Sequence, residues 1–175
     1  MKRECGECGE CCFTLGIKEL SKPERQNCKH FCDGCQIYDD RPTSCADWNC
    51  MWLKGHLPQS QRPDKTNIVF HLPDGDTSRS WGGRLVLASE SRPSSSKFRG
   101  AEKSIRKMFK AGNNIMITRF DGSRVLHLHR GYLAKILVES RGKGIVPSVN
   151  GNIVTFTTEQ AGLIWPDSAE EKEVR

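Results

Sequence analysis

Cysteine is the residue whose number and spacing in this sequence point most directly to chemistry. All nine cysteines fall within the first fifty residues of the 175-residue chain. Thiolates bind soft metal ions, and a Cys-x-x-Cys step brings two of them to one centre through a tight turn. We therefore treat every cysteine as a candidate metal ligand: Cys5, Cys8, Cys11, Cys12, Cys28, Cys32, Cys35, Cys45 and Cys50.

The start of the chain predicts that these thiols stay reduced. The sequence reaches the first cysteine at Met1-Lys2-Arg3-Glu4-Cys5, with no apolar stretch of the kind that directs secretion. We expect a cytoplasmic protein, because disulfides do not persist there and a dense set of thiols usually holds metal. No segment has the run of about 18 apolar residues that a membrane span requires, so no membrane association is expected.

The number of thiols fits two four-coordinate metal sites. Eight thiolates would fill such sites, and the ninth would be a bridge, a spare ligand or a redox thiol. Cys11 and Cys12 are adjacent, so their side chains point in different directions and we expect them to serve two centres or to bridge two ions. Zinc and iron both accept all-thiolate ligands, and Cys-x-x-Cys steps occur in zinc sites and in iron–sulfur proteins alike. The expected cofactor is therefore zinc or iron, the latter including an iron–sulfur cluster. A structural zinc module would present a surface to a protein partner, which is one interpretation of the segment.

The residues between the cysteines carry a further pattern. The sequence combines C-x-x-C-G-x-C-C at 5–12 with C-Q-I-Y-D-D-R-P-T-S-C at 35–45, together with Cys28 and Cys50. This combination resembles the YkgJ-like cysteine-cluster family, described as a zinc- or iron-chelating domain, over about residues 5–53. The resemblance implies eight metal-binding cysteines, with Cys32 outside them. A similar motif in the flagellin lysine methylases implies an iron–sulfur-dependent redox or group-transfer enzyme as an alternative.

The distribution of apolar residues predicts an α+β protein. We expect an N-terminal cysteine-rich metal-binding module over residues 1–53, packed on a small mixed or antiparallel sheet with one clear helix. Residues 54–165 form that small α+β body, and residues 166–175 form a polar tail. A module of about 50 residues buries too little apolar surface to be stable alone, so metal crosslinks are expected to supply its stability.

Periodicity and turn signals place the elements of the body. The predicted helix spans residues 97–111 and carries Phe98 and Phe109 on its apolar face, and a short helix is expected at 132–139. Pro147 predicts that its strand lies at a sheet edge. The strands are predicted at 66–72, 84–88, 114–120, 124–130, 144–149 and 152–157, with a turn at 73–76 and hairpins at 121–122 and 150–151.

Positive charge is concentrated in the second part of the chain. Residues 1–50 contain seven Lys/Arg against nine Asp/Glu, whereas the whole chain has a net charge of +6. Seven cations lie between residues 92 and 110, where Glu102 is the one acid. Such a helix can contact phosphates, which makes nucleic-acid binding a third interpretation. It is not favoured, because single-strand binding also needs exposed aromatic side chains and both phenylalanines are expected to be inward.

The remaining polar residues are predicted to have structural roles. Arg41 could offset thiolate charge and Tyr38 could donate to sulfur, but packing of the module is the favoured role for both. Packing, turn or solvent-facing roles are also favoured for His30, Asp47, His127 and His129. No Ser-His-Asp set, phosphate loop, dinucleotide loop or His-Glu-x-x-His motif occurs in the sequence. The sequence therefore names no catalytic residue and leaves enzymatic activity open.

Metal removal should unfold the cysteine module selectively. We expect chelation to abolish amide hydrogen-exchange protection in residues 5–53, because their apolar core is thin, while much of the sheet in residues 66–157 stays protected. Unchanged exchange in residues 5–53 after complete metal removal would contradict a metal-dependent module.

Overall fold

The predicted α+β class is confirmed by the computed structural model, which describes residues 3–165. The predicted polar tail lies outside the described residues. Six strands form one mixed sheet in the order β1-β2-β3-β4-β6-β5. The strands are β1 (Ile68–His71), β2 (Leu85–Glu90), β3 (Asn114–Thr118), β4 (Arg124–His127), β5 (Ser148–Asn150) and β6 (Ile153–Phe156).

Seven α-helices accompany the sheet in the described part of the chain. The long ones, α5 and α6, cover the two segments predicted to be helical, and no helix between residues 3 and 165 is both long and apolar enough to cross a membrane. The helices are α1 (Glu10–Thr14), α2 (Thr43–Asp47), α3 (Pro63–Thr66), α4 (Gly75–Ser80), α5 (Arg99–Lys110), α6 (Arg130–Gly142) and α7 (Thr158–Ile164).

All five short helices were missed by the sequence analysis, and α4 and α7 show why. The predicted turn at 73–76 is the start of α4, because the Asp74 carboxylate accepts a hydrogen bond from Thr77 N at 2.7 Å and caps the helix. Helix α7 starts with a capping box between Thr157 and Gln160. Both helices depend on capping side chains more than on apolar periodicity, which explains why periodicity does not find them.

The sheet is antiparallel except at its centre. Strands β2 and β3 pair in parallel, with Leu87 opposite Met116, because α5 lies between them along the chain and returns it to the same end of the sheet. The two predicted hairpins are confirmed, since β3 pairs with β4 and β5 pairs with β6, both antiparallel. Strand β5, which follows Pro147, lies at an edge as predicted.

Each face of the sheet is covered by a separate hydrophobic layer. On one face, Ala101, Ile105 and Met108 of α5 pack with β1, β2 and β3, and the same cluster takes in Cys50, Met51, Trp52 and Leu57. On the other face, Ile136 of α6 and Ala161 of α7 pack against Leu126 and Phe156. The end of the cysteine-rich segment is thus part of the core that holds α5.

Strand β1 forms the edge of the sheet next to the cysteine-rich segment. Met51 N donates a hydrogen bond to Phe70 O at 2.7 Å, so the segment pairs with backbone that the edge strand would otherwise leave open. Helix α1 also contacts β1. These contacts fix the cysteine-rich segment on the sheet.

Asn114 should be a main support of the sheet centre. Its side chain is fully buried, where Oδ1 accepts a hydrogen bond from His129 N at 2.9 Å and Nδ2 donates to Arg84 O. We expect Asn114→Ala to lower the free energy of unfolding by about 1–3 kcal/mol, because it leaves the His129 N–H without its acceptor, whereas Arg84 O still accepts from the backbone N–H of residue 114. Urea unfolding measures this effect. Asn152→Ala, at an exposed position, is the control and should change stability by less than about 0.5 kcal/mol; equal effects would contradict the assignment.

Candidate metal centre

The first cysteines are positioned by a tight turn that leads into α1. Cys8 N donates a hydrogen bond to Cys5 O at 3.0 Å, and Gly6 adopts the left-handed conformation that this turn requires. Gly9 also follows a cysteine, but it is needed for a different reason. Its backbone is not left-handed, but an added Cβ would lie 2.3 Å from the Phe31 ring, so the close approach of this ring requires glycine.

The central cysteines lie on a small loop that turns back on itself. Phe31 and Cys35 form an isolated antiparallel bridge, and Gln36 N donates to His30 O at 2.9 Å. Asp33 and Gly34 turn the chain with positive φ angles. This geometry places the two cysteines of the Cys-x-x-Cys step in different environments. Cys32 is exposed, whereas Cys35 is partly buried.

The last two cysteines are fixed by a helix and by the core. Cys45 lies in α2, whose first turn is tied down by two hydrogen bonds from Ser44 to the Glu19 carboxylate. Cys50 is buried in the core, and its Sγ accepts a hydrogen bond from Leu53 N at 3.3 Å. Three separate segments of chain therefore carry the thiols.

Eight of the nine cysteines line one cavity of about 90 Å³, which we call the cysteine cavity. The rest of its wall is largely apolar and includes Leu15, Trp48 and Trp52. All nine cysteines are free thiols, and Cys32 does not line the cavity. Within residues 3–165, no group of three or more His, Cys, Asp or Glu side chains is already close enough to hold a metal ion. The lining cysteines are Cys5, Cys8, Cys11, Cys12, Cys28, Cys35, Cys45 and Cys50.

Burial changes the protonation of three thiols in the cavity. It raises the pKa of Cys5, Cys8 and Cys45 above the usual thiol value. Cys11 and Cys12 behave as a pair, because the hydrogen bond between their thiols raises the pKa of Cys11 and lowers the pKa of Cys12 to about 7. Cys5, Cys8, Cys11 and Cys45 are therefore mainly neutral at pH 7, and a metal ion bound by any of them would have to displace its proton.

Two cationic side chains line the same cavity. Lys22 is 9% exposed, and its ammonium group donates hydrogen bonds to the backbone carbonyls of Phe13, Leu15 and Pro23. The Arg41 guanidinium stacks over the Tyr38 ring at 3.8 Å. Arg41 was singled out by its position between cysteines. Lys22 was missed, because the sequence does not mark a lysine as buried.

Trp52 gives the cavity an unsatisfied hydrogen-bond donor. Its indole Nε1 is buried and has no hydrogen-bond partner in the described part of the chain. Two guanidinium groups, those of Arg3 and Arg62, lie over the Trp52 ring. A buried donor without a partner, on a residue that lines the same cavity as eight thiols, is compatible with a site in which sulfur would accept the N–H.

The histidines and Asp47 take no part in this cavity. His127 and His129 both contact the Phe109 ring, with His129 stacked on it at 4.3 Å, while Leu128 is fully buried. His30 and Asp47 do not line the cavity. These positions agree with the structural roles predicted for them.

A wider cleft of about 1100 Å³ borders the cysteine cavity. Cys5, Cys35, Tyr38 and Arg41 line both spaces, so the cleft adjoins one side of the thiol cluster. The cleft wall also contains charged residues of both signs: Arg3, Glu4, Glu7, Asp33 and Lys54.

Comparisons with known proteins add no further assignment. No family model, curated protein or solved structure matches the chain. The cysteine motif and the geometry of the cavity are therefore the basis for any functional inference.

The His71 side chain should make the stability of the fold sensitive to acid. Its ring packs on Trp48 with centroids 5.4 Å apart, and burial lowers its pKa to about 4. A depressed histidine pKa stabilises the fold above the unfolded value of about 6.5, and this stability is lost as the pH falls toward 4.

The His71→Gln variant tests this prediction. We expect the variant to lose less stability than the wild type between pH 6.5 and pH 4, by up to about 3 kcal/mol, because glutamine has no proton to gain. Urea unfolding at several pH values measures the free energy of unfolding of both proteins. Subtracting one from the other at each pH removes the acid response that they share. His56→Gln, at an exposed position, is the control. Parallel stability curves for wild type and His71→Gln would contradict the prediction.

Proposed function

We propose that this protein binds zinc or iron through the eight thiolates of the cysteine cavity. The observation that carries the proposal is the convergence of eight cysteines, from three segments of chain, on one small cavity. The cavity has room for metal ions, since a single water needs only about 10–15 Å³ of the same space. Thiolates suit zinc, which would crosslink the segment, and iron, which would add redox chemistry.

The contacts between thiols support a division into two ligand sets. Cys5 interacts electrostatically with Cys50 and Cys8, and Cys11 interacts with both Cys5 and Cys8. Cys12 is hydrogen-bonded to Cys11 and also interacts with Cys5, so it is the residue where this set meets the next one. Cys45 interacts in the same way with Cys12, Cys28 and Cys35. We assign one centre to the first set and a second centre to the second set. Cys11 and Cys12 would then serve different centres, as their adjacency in the chain predicts.

The cations in the cavity fit the charge that such centres would carry. Two divalent ions neutralise four of eight thiolate charges, which leaves a net negative charge in a mostly apolar site. Lys22 lies near Cys12 and Cys28, and Arg41 lies near Cys5. Each proposed ligand set therefore has a cation beside it.

Metal analysis of protein purified without oxygen identifies the metal. Brown protein with charge-transfer absorption carries iron–sulfur clusters, whereas colourless protein with stoichiometric zinc carries structural zinc sites. A compartment that keeps thiols reduced, such as the cytoplasm, is part of the proposal. Protein purified under these conditions with neither metal would contradict it.

The cleft beside the cavity favours one second candidate, an iron–sulfur-dependent redox or group-transfer enzyme. Catalytic metal sites keep one position open to a substrate, whereas structural sites are closed. The cleft brings solvent to Cys5 and Cys35. Addition of cyanide to the iron-loaded protein tests the candidate: a changed electron paramagnetic resonance spectrum supports it, and an unchanged spectrum argues for closed sites.

Removal of thiols from one set at a time should remove one centre at a time. We expect Cys8→Ser/Cys50→Ser protein to keep the centre of the second set, and Cys35→Ser/Cys45→Ser protein to keep the centre of the first, because a serine oxygen is a poor ligand for soft metals. Native mass spectrometry counts the metal that each variant retains.

Cys32→Ser is the matched control for these variants. Its thiol is exposed and lies outside the cavity, so we expect the variant to keep the full metal content. Loss of all metal from either double variant would contradict two separate sets. Equal losses at Cys32 and at the other positions would show that Cys32 is a full ligand.

A further inference from the structure

Helix α5 presents a row of cations to solvent. Its buried face, which includes Ala101, Ile105 and Met108, packs on the sheet. The opposite side carries five exposed cations at a spacing that keeps them together on one face of the helix. We call these residues the basic stripe: Arg99, Lys103, Arg106, Lys107 and Lys110.

The positive surface continues beyond the N-terminal end of the helix. Ser104 of α5 donates a hydrogen bond to Gln61 at 3.0 Å, which holds the segment before α3 beside α5. Arg92 donates to the Asn67 side chain, which directly follows α3. The exposed cations Lys65, Arg92 and Lys97 therefore extend the stripe.

The acids of this surface do not cancel its charge. Glu102 forms an ion pair with Arg106 on the helix, and Asp64 forms one with Arg62 at 3.3 Å. Both acids thus have a cation of their own. The other cations of the surface leave a net positive field, which attracts polyanions.

Two half-exposed phenylalanines lie beside this positive surface. Phe98 directly precedes α5 and is 50% exposed, and Phe120 is 39% exposed. Phe98 is predicted to lie on the apolar face of the helix, and this prediction is wrong because α5 starts at Arg99, two residues after the predicted start, and leaves Phe98 outside the helix. Phe109 is partly buried, stacked on His129.

A buried carboxylate joins the backbone of Phe120 to the segment that precedes Phe98. Glu90 is 2% exposed, and it accepts hydrogen bonds from Ser96 N at 2.8 Å and from Phe120 N at 3.0 Å. The Phe120 backbone is therefore held next to Ser96, two residues before Phe98. The Phe120 ring in turn stacks on Phe13, with centroids 6.0 Å apart.

We propose that this surface binds single-stranded nucleic acid, with the basic stripe on the phosphates and Phe98 and Phe120 stacked on bases. Single-strand sites combine a cationic track with aromatic platforms, and both are present here. A duplex offers no unstacked base to the phenylalanines. A membrane is disfavoured because the apolar face of α5 is already buried on the sheet. The proposal does not depend on the identity of the metal.

Fluorescence anisotropy with labelled oligonucleotides of about 15 nucleotides tests the proposal. The purified full-length protein is titrated with single-stranded RNA, single-stranded DNA and the corresponding duplex at about 150 mM salt. We expect micromolar or tighter binding of at least one single strand and at least tenfold weaker binding of the duplex. The two single-stranded arms distinguish RNA from DNA.

Two kinds of variant separate charge from stacking. Lys103→Glu/Lys107→Glu should weaken binding at least tenfold and make it less dependent on salt, because phosphate contacts are lost. Phe98→Ala/Phe120→Ala should weaken binding about tenfold and leave the salt dependence unchanged, because stacking releases no counterions. Lys135→Glu/Arg141→Glu removes two exposed cations of α6, on the other face of the sheet, and should bind nearly as the wild type does.

Three outcomes would overturn the proposal. They are no single-strand binding at about 150 mM salt, equal binding of duplex and single strand, and phenylalanine variants that bind as the wild type does. An equal loss of binding in the α6 variant would also overturn it, since the site would then be diffuse charge. Urea unfolding of each variant shows whether it keeps the wild-type fold, and Phe98→Ala tested alone avoids the Phe120 contact with Phe13.

Discussion

The position of the cysteine cavity depends on how residues 50–52 pack on the edge strand β1. Met51 pairs with Phe70 through its backbone, while Cys50 and Trp52 enter the core shared by β1 and α5. This packing brings one thiol and one indole to the floor of a site whose other thiols come from thin, irregular segments. Burial raises the pKa of Cys5, Cys8 and Cys45, so these three thiols favour the neutral form in a mostly apolar cavity. Under the proposed function, the free energy of metal binding includes the release of their protons and the ordering of these segments.

Lys22 and Trp52 show that side chains other than the thiols determine the charge and hydrogen bonding of the cysteine cavity. A lysine that is 9% exposed normally costs stability, but three backbone carbonyls satisfy the ammonium group of Lys22. The same carbonyls belong to the chain around α1, so the lysine also orders the backbone that carries Cys11 and Cys12. Trp52 Nε1 remains without a partner among the described residues. A satisfied cation and an unsatisfied donor in one cavity fit an anionic occupant, since both favour negative charge on the sulfur atoms.

Sequence reasoning found the elements that have a regular apolar period or a local turn signal. It missed the contacts between residues that are far apart in the chain. The strands, α5, α6 and both hairpins follow from periodicity and from Asp-Gly and Asn-Gly turns, which are local signals. The parallel pairing of β2 with β3 is not local, and α7 depends on one capping box. In the site, spacing named the cysteines, but the requirement for Gly9 comes from Phe31, which lies twenty-two residues away in the chain. Exposure of Phe98 was mispredicted because one residue at a helix start decides whether a side chain follows the helical face.

Packed side chains connect the walls of the cysteine cavity with the residues around the basic stripe. Phe13 belongs to α1, directly after Cys11 and Cys12, and its ring stacks on Phe120 beside the basic surface. Gln61, from the segment that follows the cysteines, bonds Ser104 of α5. Helix α6, by contrast, packs on the opposite face of the sheet. A shift of α1 would therefore reach Phe120 directly through this ring contact. Because coupling between two binding sites is reciprocal, a ligand that holds the Phe120 ring would also act on α1, which carries Cys11 and Cys12.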